Sequence, residues 1–210
     1  MFSVLIVVTL AMAAADWLVV STGNKRLEYL LKPATMVALI AACASMTNPD
    51  PGDARLWIVL GLCASLIGDV FLIEESRFIQ GLASFLIAHV LYIVGFLTMG
   101  VSVGAILVGL VVAVVGIVIV GRRIEKGAAR QDPVLGRAVA AYIGVISAMV
   151  TVAIGTGRPW AIIGALLFYS SDAFIGWSRF VKGFARQDLA IIVTYHLGQI
   201  GIVLSLLPRT

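Results

Sequence analysis

Ser65-Leu-Ile-Gly-Asp69-Val70 and Tyr169-Ser-Ser-Asp172-Ala-Phe174 each set an aspartate inside a hydrophobic stretch long enough to cross a bilayer. A carboxylate there costs at least about 2.5 kcal/mol and is expected to face a bundle interior or a wet cavity rather than lipid. Two of them, at similar depth on matching helices, point to a site. The rest of the chain is of the same kind. Of its 210 residues 61% are hydrophobic and 12% charged, against roughly 25% charged in a soluble domain. A polar surface cannot be built from this composition, so lipid is the expected solvent. The net charge of +4 then reads as a topology signal, and no nucleic-acid partner is expected. Cys43 and Cys63 lie in apolar runs without metal-type spacing and read as small core residues. Only His89 and His196 are available as imidazoles, so a histidine-rich metal site is not expected.

A spanning helix needs about 20 apolar residues. Eight such segments are present, at 2–22, 31–47, 55–73, 78–98, 101–121, 136–155, 159–179 and 188–207. The predicted fold is an all-α membrane protein of eight transmembrane helices. Residues 1–210 form a single multi-pass domain, in the plasma membrane if the chain is bacterial. The connections are short and carry helix breakers or charge, as in Asn48-Pro-Asp-Pro-Gly-Asp53 and Arg122-Arg-Ile-Glu-Lys-Gly127. The first span does not read as a cleavable signal, because its positive charges, Lys25 and Arg26, follow it. Twelve of the 15 Lys and Arg residues fall on odd-numbered connections; Arg55, Arg158 and Arg209 fall on the even ones and the tail. Positive-inside bias places the odd connections in the cytoplasm and both termini outside. There is also an internal echo: Gly68-Asp-Val-Phe-Leu runs into Phe78-Ile-Gln-Gly-Leu-Ala83, and Ser171-Asp-Ala-Phe-Ile into Phe180-Val-Lys-Gly-Phe-Ala185. Spans 3–4 thus resemble spans 7–8, as two parallel four-helix repeats would.

Depth follows from the helical rise of about 1.5 Å per residue. Asp69 is expected roughly 6 Å inside the cytoplasmic interface, Asp172 and Tyr195 about 10 Å, and Gln199 and His89 about 16 Å. Asp16 lies near the cytoplasmic end of span 1, and Lys32 opens span 2 at that side. The outer half holds no comparable set. Tyr195 and Gln199, four apart, share a helix face, and Phe85, His89 and Tyr92 form another stripe. Ser65, one turn before Asp69, is placed to hydrogen-bond its carboxylate. The expected site is a cavity open toward the cytoplasm, with Asp16 and Ser171 as further candidates. His196 falls on a different face from Gln199 and is left out. Trp57, Trp160 and Trp177 read as interfacial belt residues. Each polar residue also has a plainer role open to it, as interhelical hydrogen-bond partner or, for Lys32, as a snorkelling charge.

Lys32-Pro33, Gly68-Asp69, Gly81 with His89 and Tyr92, Gly164-Ala165 with Ser171-Asp172, and Thr194-Tyr195 with Gln199 form an ordered series over nearly the whole chain. That series resembles the YhhN-like lysoplasmalogenase family. His196 after Tyr195 departs from it, where a second aromatic is expected. The resemblance implies a membrane hydrolase that cleaves the vinyl ether of lysoplasmalogens, giving a fatty aldehyde and a glycerophospho-choline or -ethanolamine. It implies no cofactor and no metal, and its partners are the lysophospholipid substrate and membrane lipid. Vinyl ether hydrolysis proceeds by protonation of the outer carbon, addition of water to the resulting cation and collapse of the hemiacetal. A carboxylic acid and a carboxylate, paired as in glycosidases, suit it. Asp69 and Asp172 are the catalytic candidates, with their roles left open. Lys32 suits the phosphate, and His89, Tyr92, Tyr195 and Gln199 the positioning of substrate or water. The alternatives are a small-solute or proton-coupled transporter, which also uses duplicated halves and intramembrane acids, and a non-catalytic lipid-binding protein.

Overall fold

Helix ends follow local chemistry. In the computed structural model, which describes residues 1–208, the chain forms eight helices: α1 (Phe2–Thr22), α2 (Lys25–Ala44), α3 (Gly52–Phe71), α4 (Phe78–Thr98), α5 (Val103–Gln131), α6 (Pro133–Gly155), α7 (Pro159–Phe180) and α8 (Gln187–Leu204). All eight are long and apolar enough to cross a membrane, and no strand occurs among the described residues. The protein is an integral, multi-pass, all-α membrane protein. Arg209, counted above in the tail, lies outside the described residues.

Two boundaries differ from the sequence reading by more than a helical turn. α2 begins at Lys25 rather than at residue 31. Gly23, at φ 73°, ends α1 in the left-handed conformation that glycine accepts at no steric cost, and the Asn24 side chain then accepts the Leu27 N–H. Lys25 and Glu28, paired at 2.9 Å, give the new helix a polar first turn that a count of apolar residues does not register. Lys32 therefore sits inside α2, two turns from its start, rather than opening it. The second difference is Arg122–Gly127, read as a charged connection but helical here. It continues α5 beyond a π-helical turn at Ile117–Gly121. Ile124 and Ala128 bury one face against Val139 and Phe180, while Arg122, Arg123 and Lys126 stay exposed. Such an amphipathic stripe is a helix signal that the charges conceal. Only Asp132 separates α5 from α6, and its carboxylate caps Val134 N–H at 2.8 Å.

Consecutive helices pair: α1 with α2, α3 with α4, α5 with α6, α7 with α8; α4 against α6 and α1 against α8 join the two halves. With lipid all around, helix association depends on close packing rather than on burial from water, so small residues mark the tightest seams. A Cβ on Gly164 would sit 2.6 Å from the backbone nitrogen of Ile202, and α8 answers with Gly198 and Gly201. Gly61 and Gly68 on α3 likewise make room for the rings of Tyr92 and Phe85 on α4. The echo survives only in part. Gly68–Leu72 closes α3 whereas Ser171–Ile175 lies within α7, and Phe78–Ala83 opens α4 whereas Phe180–Ala185 closes α7 and enters the next connection. Phe78 and Phe180 instead pack edge to face at 6.0 Å.

The far end of the bundle is held by Arg158, which is buried although read only as a loop charge. Its Nη2 pairs with Asp50 at 2.8 Å, and its Nη1 donates to the carbonyls of Ser205 and Leu207 at 3.1 Å each. Arg55 donates to the Met46 carbonyl at 2.6 Å. These charges close loops.

Candidate active site

Asp69 lies two residues from the end of α3, and its side chain is fully buried. Lys32, reaching from α2, places Nζ 2.9 Å from Oδ1. Tyr195, from α8, donates its hydroxyl to Oδ2 at 2.5 Å. The same ammonium lies 5.3 Å from the centre of the Tyr195 ring. A buried carboxylate needs a charge partner and hydrogen bonds to its oxygens; Lys32 supplies the charge beside Oδ1 and Tyr195 the hydrogen bond to Oδ2.

Asp172, mid-helix on α7, is held differently. Tyr142 on α6 donates to Oδ2 at 2.5 Å, and His89 Nε2 on α4 lies 3.5 Å from the same oxygen. Among the described residues no Lys or Arg pairs with it, and its side chain is 10% exposed. The two acids mirror each other at the level of helices: Asp69 is met from α2 and α8, Asp172 from α6 and α4. Exchanging the two halves of the chain carries one set onto the other.

Behind the acids, Tyr92 donates to Gln199 Oε1 at 2.7 Å, and Ser65 Oγ lies 3.4 Å from the Tyr92 hydroxyl. Ser65 thus serves Tyr92 and not Asp69, contrary to the one-turn spacing argument, because a phenol from α4 reaches it first. The Gln199 amide nitrogen is buried without a hydrogen-bond partner. Phe168, absent from the sequence reading, is the ring around which the site is assembled. Its centre is 4.8 Å from His89, 5.5 Å from Tyr195, 6.0 Å from Phe85 and 6.3 Å from Tyr92. Tyr142 was missed as well; the available signal was that it is the one phenol of its span.

The remaining candidates lie further out. Asp16 is buried on α1 with neither oxygen hydrogen-bonded, and Glu28, Lys32 and Asp69 are the charges that act on it. Ser171 donates to the Ile191 carbonyl at 3.0 Å and ties α7 to α8. His196 points away, toward α1, and accepts from the Trp17 indole at 3.2 Å. Among the described residues, no three His, Cys, Asp or Glu side chains group as a metal site would need.

Two cavities meet the acids. The larger, a groove between α4, α5, α6 and α7, holds about 680 Å³ of open space including its mouth. It is apolar except for Asp172, Tyr142 and Tyr169. The smaller, of about 290 Å³, is lined by Glu28, Tyr29, Lys32 and Asp69. Leu72 borders both. One carboxyl therefore borders a greasy channel and the other a charged pocket, with Leu72 common to both walls.

The YhhN family model matches residues 27–206. The chain is 34% identical over 194 residues to the "Lysoplasmalogenase" of Mycobacterium bovis, covering 88% of this chain and 71% of that one. It is 32% identical over 180 residues to human "Lysoplasmalogenase TMEM86B", with 83% and 75% coverage. It is 28% identical over 216 residues to the Escherichia coli "Uncharacterized membrane protein YhhN", with 94% and 97% coverage. No solved structure matches the chain. The protein belongs to the YhhN family.

Proposed function

We propose that this protein hydrolyses the vinyl ether bond of lysoplasmalogens, releasing a fatty aldehyde and glycerophosphocholine or glycerophosphoethanolamine, with Asp69 and Asp172 as its catalytic acid–base pair. The observation that carries the reading is the division of the two acids between unlike cavities. A lysoplasmalogen is divided in the same way: a charged head, one hydrocarbon chain, and the reactive O–CH=CH at their junction. The carbon to be protonated belongs to the chain, and the ether oxygen that leaves belongs to the head. The names of the relatives agree with this substrate.

The roles follow from the partners. Asp69, with an ammonium 2.9 Å away, starts as the carboxylate. Asp172, beside the apolar groove and without a cation, starts as the acid. Asp172 delivers its proton to the outer vinyl carbon, and the ether oxygen stabilises the cation left on the inner carbon. Water adds to that carbon while Asp69 takes its proton. In the collapse, Asp69 returns the proton to the departing glycerol oxygen, and Asp172 accepts the proton of the hemiacetal hydroxyl as the C=O forms. Both acids end as they began, and the net change is the addition of one water. Tyr195 and Tyr142 hold the two carboxyls in place, and the buried amide of Gln199 is suited to the water. The exposed part of Lys32 faces the pocket in which the phosphate would lie. This end carries the cytoplasmic connections in the proposed topology, so substrate would enter from the inner leaflet.

A transporter would be expected to use interrupted helices reached from both sides. Here both acids stand on uninterrupted helices, and Arg158 seals the opposite end. The test is aldehyde release by purified protein in ¹⁸O-water. The glycerophospho product should stay unlabelled, and in D₂O one deuterium should appear beside the aldehyde carbon. Absence of aldehyde, or ¹⁸O on the glycerol, sinks the proposal.

A further inference from the structure

We infer that the groove between α4, α5, α6 and α7 seats the hydrocarbon chain of the substrate, and that Gly121 and Gly176 set the length and bulk of chain it takes. This rests on the proposed reaction and goes beyond it, by assigning residues that never touch the reacting atoms.

The starting point is the space itself. Protein interiors pack densely and leave few voids larger than a water; this groove keeps about 60 Å³ free for water-sized spheres along a nearly all-apolar wall, a space suited to an apolar occupant. The groove reaches one of the two acids, because Asp172, Tyr142 and Phe85 belong to its wall. A saturated bilayer chain would offer that carboxyl nothing, whereas an alkenyl chain brings it the carbon that takes the proton. One channel with one acid fits a lipid with one chain.

Two glycines stand in the wall of the groove. Gly176 stands one turn after Asp172 and so shares its face. A Cβ there would lie 2.8 Å from Ile124 Cγ2, on the opposite wall. Gly121 closes the π-helical turn at Ile117–Gly121, and a Cβ on it would lie 3.1 Å from Ile143 Cγ2. All four residues line the groove, so a side chain at either glycine must push Ile124 or Ile143 aside and reshape its wall. The π turn is itself an irregularity of a kind that recurs at functional sites, and here it brings Val120 and Gly121 to the wall.

The test has a catalytic arm and a binding arm. Aldehyde release is compared for long-chain and short-chain lysoplasmalogens in wild type, Gly176→Leu and Ile143→Ala. Gly176→Leu should cut kcat/KM for the long chain roughly tenfold or more while sparing the short one, the usual scale for a misfit in an apolar pocket. Ile143→Ala, which widens the groove and adds no bulk, should shift preference toward longer chains; it decides the matter if the leucine variant fails to fold. For binding, Trp177, which packs against the cluster of Ile124, Ala128, Val139 and Phe180, is kept as the sole tryptophan by Trp17→Phe, Trp57→Phe and Trp160→Phe. Lysophosphatidylcholine brominated along its chain should quench it saturably, unbrominated lysophosphatidylcholine should displace it, and Gly176→Leu should weaken the effect. Saturable quenching without aldehyde release by wild type would sustain the groove and sink the reaction. Aldehyde release with the same chain-length profile in every variant overturns the groove, as does quenching that lysophosphatidylcholine does not displace, which marks bulk lipid.

Discussion

Replacing Lys32 by Met tests whether its ammonium serves the chemistry or only the headgroup. Methionine keeps much of the apolar stem, so the change is chiefly the loss of a charge 2.9 Å from a carboxylate whose side chain is fully buried. Removing one partner of a buried ion pair costs about 3–5 kcal/mol if the remaining charge stays. With Lys32 21% exposed, solvent screening puts the expected loss toward the lower end of that range. The site can escape the penalty by letting Asp69 hold a proton, but it then loses the base that accepts the proton of water, a contribution of about 10²–10⁴ in rate. Lys32→Met should therefore lower kcat by about 100-fold or more with little change in KM, read from aldehyde release by a coupled dehydrogenase. Lys32→Arg, which keeps a cation, should recover part of it. Lys32→Met combined with Asp69→Asn should be no worse than Asp69→Asn alone, since the pair acts as a unit. A variant with unchanged kcat and raised KM would refute the counter-ion role and leave Lys32 as a phosphate contact.

Asp69→Asn and Asp172→Asn should each abolish aldehyde release, by orders of magnitude, with membrane insertion and gel-filtration behaviour preserved; near-normal turnover in either would make that aspartate structural. Tyr142→Phe and Tyr195→Phe each remove a hydrogen bond to a carboxyl, worth about 1.5–3 kcal/mol, so kcat should fall roughly 10- to 150-fold while the helical circular dichroism signal stays intact. Gly164→Leu should destabilise the α7–α8 seam by about 1–3 kcal/mol or more and lower the unfolding temperature in detergent, because the backbone of α8 lies where its side chain would go. For topology, single cysteines at Asp53 and Lys126, both exposed, introduced after Cys43→Ser and Cys63→Ser, should react oppositely with a membrane-impermeant thiol reagent on intact cells. Labelling of the Lys126 position from outside would reverse the proposed orientation.

Eight spans and two buried acids were legible in the chain because lipid makes both conspicuous: an apolar run of spanning length has few other uses, and Asp69 and Asp172 are too costly in hydrocarbon to be incidental. Local spacing was a weaker guide to what those acids touch. It assigned Ser65 to Asp69 one turn away, and α4 overruled it by delivering the Tyr92 hydroxyl. It counted Arg122–Gly127 as a loop, and burial of Ile124 and Ala128 against α6 and α7 made it helix. Tyr142, Phe168 and the place of Lys32 beside Asp69 are long-range pairings, set by which helices lie side by side. In a membrane that choice rests on the fit of small residues such as Gly164, Gly198 and Gly201, rather than on any periodicity a single span displays. Which groups could do chemistry was thus written in the cost of burying each one alone. Which cavity each acid faces was decided only by packing, since a groove is the space that several helices leave unfilled.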